Sequence, residues 1–167
     1  CEEVWLRSTM SRARDTAHGR PHVLVIAEDV TQRVHSDELL RRSSVLLSNA
    51  GRMAAIDGWF LALPSGALQL GTYMKQRLRL GDKAAEAFLA RLNGRSRRTL
   101  LAALSRCRRA GRAIDIELDL VGGDAVPMVL RVLGQAARGP QGLVGVEGAV
   151  QDITEQRRVQ RHLQIGR

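Results

Sequence analysis

Apolar and acidic residues alternate without a break from Ile114 to Leu120: Ile114, Ile116, Leu118 and Leu120 against Asp115, Glu117 and Asp119. A period of two puts the two sets on opposite faces of a strand. Val126 to Leu133 and Leu143 to Val150 read as two further strands. Val121-Gly122-Gly123-Asp124 and Gly139-Pro140-Gln141-Gly142 supply the turns between them, because glycine takes positive φ freely and proline presets a turn. Asp152-Ile153-Thr154 then ends the last strand and opens a polar, charged helix.

The pattern upstream is a hairpin, a helix, a second hairpin and a run of helices. Glu2 to Arg14 and Pro21 to Ala27 read as paired strands, an arrangement that is marginal in water on its own. Thr31 to Asn49 reads as a helix, with Thr31 as its cap and Gly51 as its stop. Val34, Leu39, Leu40, Leu46 and Leu47 make an uneven stripe, too short to establish a coiled coil. Two readings of this helix stay open: a dimerising signalling helix, or an amphipathic helix folded against its own domain. Ile56 to Leu63 and Ala67 to Tyr73 form the next predicted hairpin, around Pro64-Ser65-Gly66. Short helices are expected between Lys75 and Arg95, with Phe88, Leu89 and Leu92 turned to the core. Ser96 is the expected cap of a helix over Arg97 to Ala110 that turns Leu100, Leu101 and Leu104 inward and stops at Gly111.

Asp29-Val30-Thr31 repeats Asp152-Ile153-Thr154 at an offset of 152 − 29 = 123. At the same offset Gly19 falls on Gly142, Ala13 on Ala136, Leu40 on Leu163 and Trp5 on Met128. A fixed internal offset marks repeated units. Three antiparallel strands closed by Asp-Ile-Thr and a charged helix resemble the C-terminal half of a PAS sensor domain. Ile56-Asp57-Gly58-Trp59 resembles the first strand of that family, and Leu80-Gly81 the Leu-Gly that follows its first short helix; Asn93-Gly94-Arg95-Ser96 departs from the His-Pro-Asp-Asp of many relatives. The resemblance implies an α+β fold: a five-stranded antiparallel sheet with helices on one face, preceded by a β-hairpin and linker helix from an earlier PAS repeat. On this reading residues 1–30 close the preceding domain, 31–51 are the linker helix, 52–154 are a complete PAS domain and 155–167 begin an output helix. The chain opens on Cys1 and ends within a helix, so it reads as a piece of a longer multidomain protein.

Composition narrows the picture. Hydrophobic residues make up 44% of the 167, enough for one packed core, and aromatics only 3%, so that core is aliphatic. No apolar run approaches the ~18 residues of a membrane span. Cys1 and Cys107 are far apart and suggest neither a disulfide framework nor a zinc site, which fits a reducing cytoplasm. The net charge is +9, almost all of it from arginine. Basic character draws phosphate, yet base-stacking aromatics are scarce and no nucleic-acid-binding motif is present, which argues against a nucleic-acid partner.

No catalytic constellation emerges. Histidines occur at 18, 22, 35 and 162, none between Arg52 and Thr154, which argues against His-ligated haem in the complete domain. The same domain lacks a Cys in an Asn-Cys-Arg-type motif, which argues against covalent flavin photochemistry. Gly122-Gly123-Asp124 is followed by Ala125-Val126 and so does not make a diguanylate cyclase motif. Asp115, Glu117 and Asp119 read as a solvated face, and Cys107 as a structural thiol.

The resemblance further implies a cavity between helices and sheet, for which Trp59, Tyr73, Phe88, Leu104, Ile116, Leu118, Met128, Leu130, Val146 and Gly148 are candidate lining positions, and Met74 and Leu92 further core positions. Any ligand held there would be small and largely apolar. Asp152 and Thr154, and in the first copy Asp29 and Thr31, would relay a signal to the following helix. The expected function is a non-catalytic regulatory module of a signalling protein such as a histidine kinase or a cyclic-dinucleotide enzyme. Its expected partners are the output domain of the same longer chain and a second copy, met through the linker helices or the outer sheet face. The alternative is a closed-core interaction and dimerisation module that holds no ligand.

Overall fold

The computed structural model describes residues 2–14, 17–121 and 126–166. Gly122, Gly123 and Asp124 of the first expected turn, and Cys1, lie outside the described residues. The chain divides into two compact units, Cys1–Asn49 and Ala50–Arg167.

The first unit holds strands β1 (Leu6–Arg14) and β2 (Pro21–Asp29), an antiparallel pair, followed by helix α1 (Thr31–Met53), which runs on into the second unit. Leu6, Met10, Val23, Val25 and Ile26 are all exposed. Helix α1 does not stop at the expected Gly51, which lies inside it. Glycine is needed there for a different reason: a Cβ would come within 2.8 Å of the Ile56 carbonyl oxygen. The turn ends instead at Ala55, whose φ of 55° is left-handed and whose N–H donates to the Arg52 carbonyl at 3.2 Å.

The second unit carries β3 (Ile56–Ala62), β4 (Leu68–Leu70), α2 (Thr72–Leu78), α3 (Ala84–Arg91), α4 (Gly94–Ala110), β5 (Ile114–Leu120), β6 (Met128–Gly139), β7 (Gly142–Asp152) and α5 (Thr154–Ile165). Its five strands form one antiparallel sheet in the order β4-β3-β7-β6-β5. This is the α+β, five-stranded architecture expected from the sequence. No helix among the described residues is long and apolar enough to cross a membrane.

Pleat and register define the inner face. One row crosses all five strands as Leu70, Trp59, Gly148, Gly134 and Ile114. The next runs Asp57, Val150, Val132 and Ile116, and the next Asp152, Leu130 and Leu118. Met74 and Leu78 of α2, and Leu100, Ala103 and Cys107 of α4, pack on these rows and are buried. The aliphatic β-branched and leucine side chains of the sheet thus find their cover in the apolar stripes of the helices. The acidic face of β5 is exposed, as its alternation requires. There Asp115 pairs with Arg131 at 2.9 Å, and the guanidinium holds its carboxyl below the usual range.

Several expectations need correction. Tyr73 lies in α2, not in a strand: β4 is only three residues long, and the Met74 N–H donates to Asp57 Oδ2 at 2.9 Å, which anchors the helix start from β3. Helix α4 begins at Gly94, capped by Asn93, whose side chain accepts from the Ser96 N–H at 2.7 Å. Ser96 is therefore not the cap; it is buried, and its hydroxyl accepts from the Asp119 N–H at 2.8 Å. Leu101 is 48% exposed, and Ala103 and Cys107 take the buried positions beside Leu100. Gly111 does stop the helix, at φ 65° with its N–H on the Cys107 carbonyl. Strand β6 runs to Gly139, six residues past the expected end at Leu133.

The gapless alignment of the two hairpins also shifts. Val30 N–H bonds the Trp5 carbonyl as Ile153 N–H bonds that of Val129, each at 2.9 Å. Trp5 therefore corresponds to Val129 and not to Met128, and Ala13 to Ala137 and not to Ala136. The segment between the paired residues Ala137 and Gly145 is one residue shorter than that between Ala13 and His22.

Candidate functional site

Asp152 is the last residue of β7 and sits on the inner face in one row with Leu118 and Leu130, both fully buried. Four separate segments meet on it. Its backbone N–H donates to the Ala55 carbonyl at 2.9 Å, which ties it to the turn after α1. Its Oδ1 accepts from the Thr154 N–H at 3.0 Å and the Thr154 hydroxyl at 2.5 Å. Its Oδ2 accepts from Arg77 Nε and Nη2 at 3.1 and 3.0 Å. The Thr154 hydroxyl in turn accepts from the Val129 N–H at 3.0 Å. The Asp152 carboxylate thus joins helix α2 to the head of α5, while its backbone N–H holds the segment entering the unit and the Thr154 hydroxyl holds strand β6.

The local sequence explains the arrangement. Asp followed two residues later by Thr lets the carboxylate bond the amide and hydroxyl across a tight bend. Burial pushes the Asp152 carboxyl upward, but the Thr154 hydroxyl and amide and the Arg77 guanidinium outweigh it and hold the group below the ordinary aspartate value. Asp29 makes the same bonds to Thr31, at 3.0 Å to the amide and 2.6 Å to the hydroxyl, and its carboxyl is lowered by them.

Behind this junction, between α2–α4 and the sheet, lies a cavity of about 250 Å³. Trp59, Leu61, Leu68, Leu70, Val132 and Val150 wall it on the sheet side; Leu78, Phe88, Leu89, Leu100 and Leu104 are among those on the helix side. The lining is almost wholly apolar. Trp59 turns its one polar atom away into the sheet, where the indole N–H donates to the Leu133 and Ala149 carbonyls at 3.0 and 3.2 Å.

Of the candidate lining positions, Trp59, Phe88 and Leu104 border this cavity. Leu118, Leu130 and Val146 are fully buried in the core, and Ile116 and Tyr73 pack partly buried against it. Met128 is buried in the core and also borders an open groove of about 1,210 Å³ shared with Arg77, Asp152 and Thr154. Gly148 stands in the same strand row as Trp59. Asp57 and Arg77 went unrecognised in the sequence. An acid two residues before a buried Trp, hence on its face, was a usable sign for Asp57; Arg77 was one of many arginines. Burial raises the Cys107 thiol above its ordinary value, as suits a structural role. Among the described residues no group of three His, Cys, Asp or Glu is placed to hold a metal.

No known family model matches the chain, and no curated protein does. Solved structures do match. A sensory box histidine kinase/response regulator from Burkholderia thailandensis E264 aligns with a TM-score of 0.58 at 20% identity, over 72% of this chain and 93% of that one. The N-terminal domain of a diguanylate cyclase with PAS/PAC sensor from Marinobacter aquaeolei aligns with a TM-score of 0.53 at 13% identity, over 61% and 98%. An RNA-binding light-oxygen-voltage receptor aligns with a TM-score of 0.51 at 19% identity over 67% of this chain, but the match spans only 32% of the receptor.

Proposed function

We propose that the unit from Ala50 onward, which has the PAS fold, is a non-catalytic sensory module of a larger signalling protein. It takes a small apolar ligand into the cavity behind Trp59 and passes occupancy to α5 through Asp152. The observation that carries this reading is the convergence on one residue, Asp152, of the turn after α1 through its backbone N–H and of helix α2 and the head of α5 through its carboxylate. Helix α2 is the link to the cavity: Leu78 lines it, and Arg77, the preceding residue, holds Asp152. A ligand that displaces Leu78 would alter the Arg77 grip and with it the setting of Thr154.

A volume of about 250 Å³ falls just under the ~300–1,000 Å³ of ordinary ligand pockets. The reading therefore specifies a compact molecule with few polar groups, or a ligand that opens the site slightly. Such a ligand acts only by binding the two settings of α2 with different affinity. Solved structures of this fold that come from a histidine kinase and a diguanylate cyclase support an output of that kind by analogy of fold.

Native mass spectrometry of the chain tests the first half: a mass excess that leaves on denaturation is expected, and the bare mass in every preparation would sink the ligand. Asp152→Ala in the whole signalling protein tests the second half. The output should become insensitive to the input; regulation that survives the change would refute the route.

A further inference from the structure

Where each hairpin meets its following helix, β1, β2 and the head of α1 repeat the bonds of β6, β7 and the head of α5. Trp5 N–H donates to Thr31 Oγ1 at 2.9 Å, and Val129 N–H to Thr154 Oγ1 at 3.0 Å. Leu6 pairs with Asp29 as Leu130 pairs with Asp152. Each aspartate accepts from the amide and hydroxyl of the threonine two residues on. In the second unit this hairpin is flanked on both edges, β6 by β5 and β7 by β3. The β1–β2 pair has neither neighbour, and apolar side chains on it stand exposed. A lone two-stranded hairpin is not independently stable in water.

We propose that β1 and β2 are the closing hairpin of another domain of the same fold, whose three other strands precede them in the polypeptide. The order of elements argues for that source: in the second unit the neighbours of the closing hairpin, β3 and β5, both come earlier in the chain than the hairpin itself. The correspondence also fixes details of the absent part. Val25 stands at the position of Gly148, and Met10 at that of Gly134. Those glycines make the room that Trp59 fills, since a Cβ on Gly134 would lie 2.8 Å from its Cζ2. The preceding domain therefore carries a small side chain where this one has Trp59. It also places a cation on the free side of Asp29, as Arg77 stands on Asp152.

Hydrogen exchange on the chain and on the natural polypeptide extended upstream by one domain tests this. The β2 amides not bonded to β1 should exchange at least tenfold more slowly in the extended protein, and Asp29→Asn should reverse part of that protection. Equal exchange in the two proteins would overturn the proposal. So would protection already present in the short chain that grows with concentration alongside a dimer mass, which would put a second copy in that place.

Discussion

Arg77 holds one oxygen of Asp152 through two N–H groups, at 3.1 and 3.0 Å, and leaves the other oxygen to the amide and hydroxyl of Thr154. Asp152→Asn keeps the shape but offers only one accepting oxygen and no charge. The Arg77 side chain is 52% exposed, so its own share is modest. Most of the loss comes from a buried acceptor that can no longer serve both sides. The variant should lose about 1–3 kcal/mol of stability, read from the urea midpoint at pH 7, and Arg77→Ala should lose less. Equal losses would show that the guanidinium, not the bend at Thr154, is the main support.

Acidification probes the same carboxylate. Its folded-state pKa lies below the ordinary value, so the folded chain binds this proton more weakly than the unfolded one. The stabilisation is complete above the unfolded value of ~3.9 and disappears as pH falls through the lower folded value. Stability should therefore drop from about pH 5 downward, less steeply in Asp152→Asn. Glu38, held at about 2 by Arg41 and Arg42, adds to the acid slope through a solvent-accessible cluster. Raising the salt should suppress that part and leave the Asp152 part.

Asn93 and Ser96 lie three residues apart and do different work. Asn93→Ala removes a helix cap, at about 0.5–2 kcal/mol. Ser96→Ala strands the Asp119 amide, at about 1–3 kcal/mol. Exchange of the Asp119 amide separates them: it should accelerate in Ser96→Ala and stay unchanged in Asn93→Ala.

Gly148→Ala should be among the worst single-methyl additions in the sheet. The new Cβ would fall 1.9 Å from the Leu133 carbonyl oxygen, a backbone atom held in the ladder. The expected loss is about 3 kcal/mol, the upper end for overpacking, measured by thermal unfolding. Gly81→Ala is the control: nothing lies within 4 Å of its Cβ position, and its stability should move by less than about 0.5 kcal/mol.

What could be read from the sequence was whatever a short period imposes. The alternation over Ile114–Leu120 set strand and faces together, and the Asp-x-Thr bend is local chemistry between near neighbours. What escaped depended on distant partners. Tyr73 has strand propensity, yet the next amide is bonded by Asp57 from another strand, and the helix wins. Gly51 looks like a stop until Ile56 is seen packed against it. Ser96 suits a cap, but Asn93 was available three residues earlier and Asp119 needed the hydroxyl. The far half of β6, Gly134 to Gly139, has no apolar alternation and is a strand because β7 pairs with it. Within the junction, Asp152 and Thr154 were legible and Arg77 was not, since nothing local sets one arginine apart from the rest.

Val129 gives its N–H to Thr154 and takes the N–H of Ile153 on its carbonyl. Two bonds one peptide apart fix where α5 begins, and the Glu117–Arg157 ion pair on the outer face adds a softer contact along the helix. On the proposed relay, the junction would therefore act as a pivot and not a slide. A helix of 12 residues is ~18 Å long at 1.5 Å per residue, so a swing of about 10° would carry its far end ~3 Å sideways. On the relay proposed above, leverage of that kind would enlarge a small adjustment beside Asp152 into a wider displacement at the far end of α5.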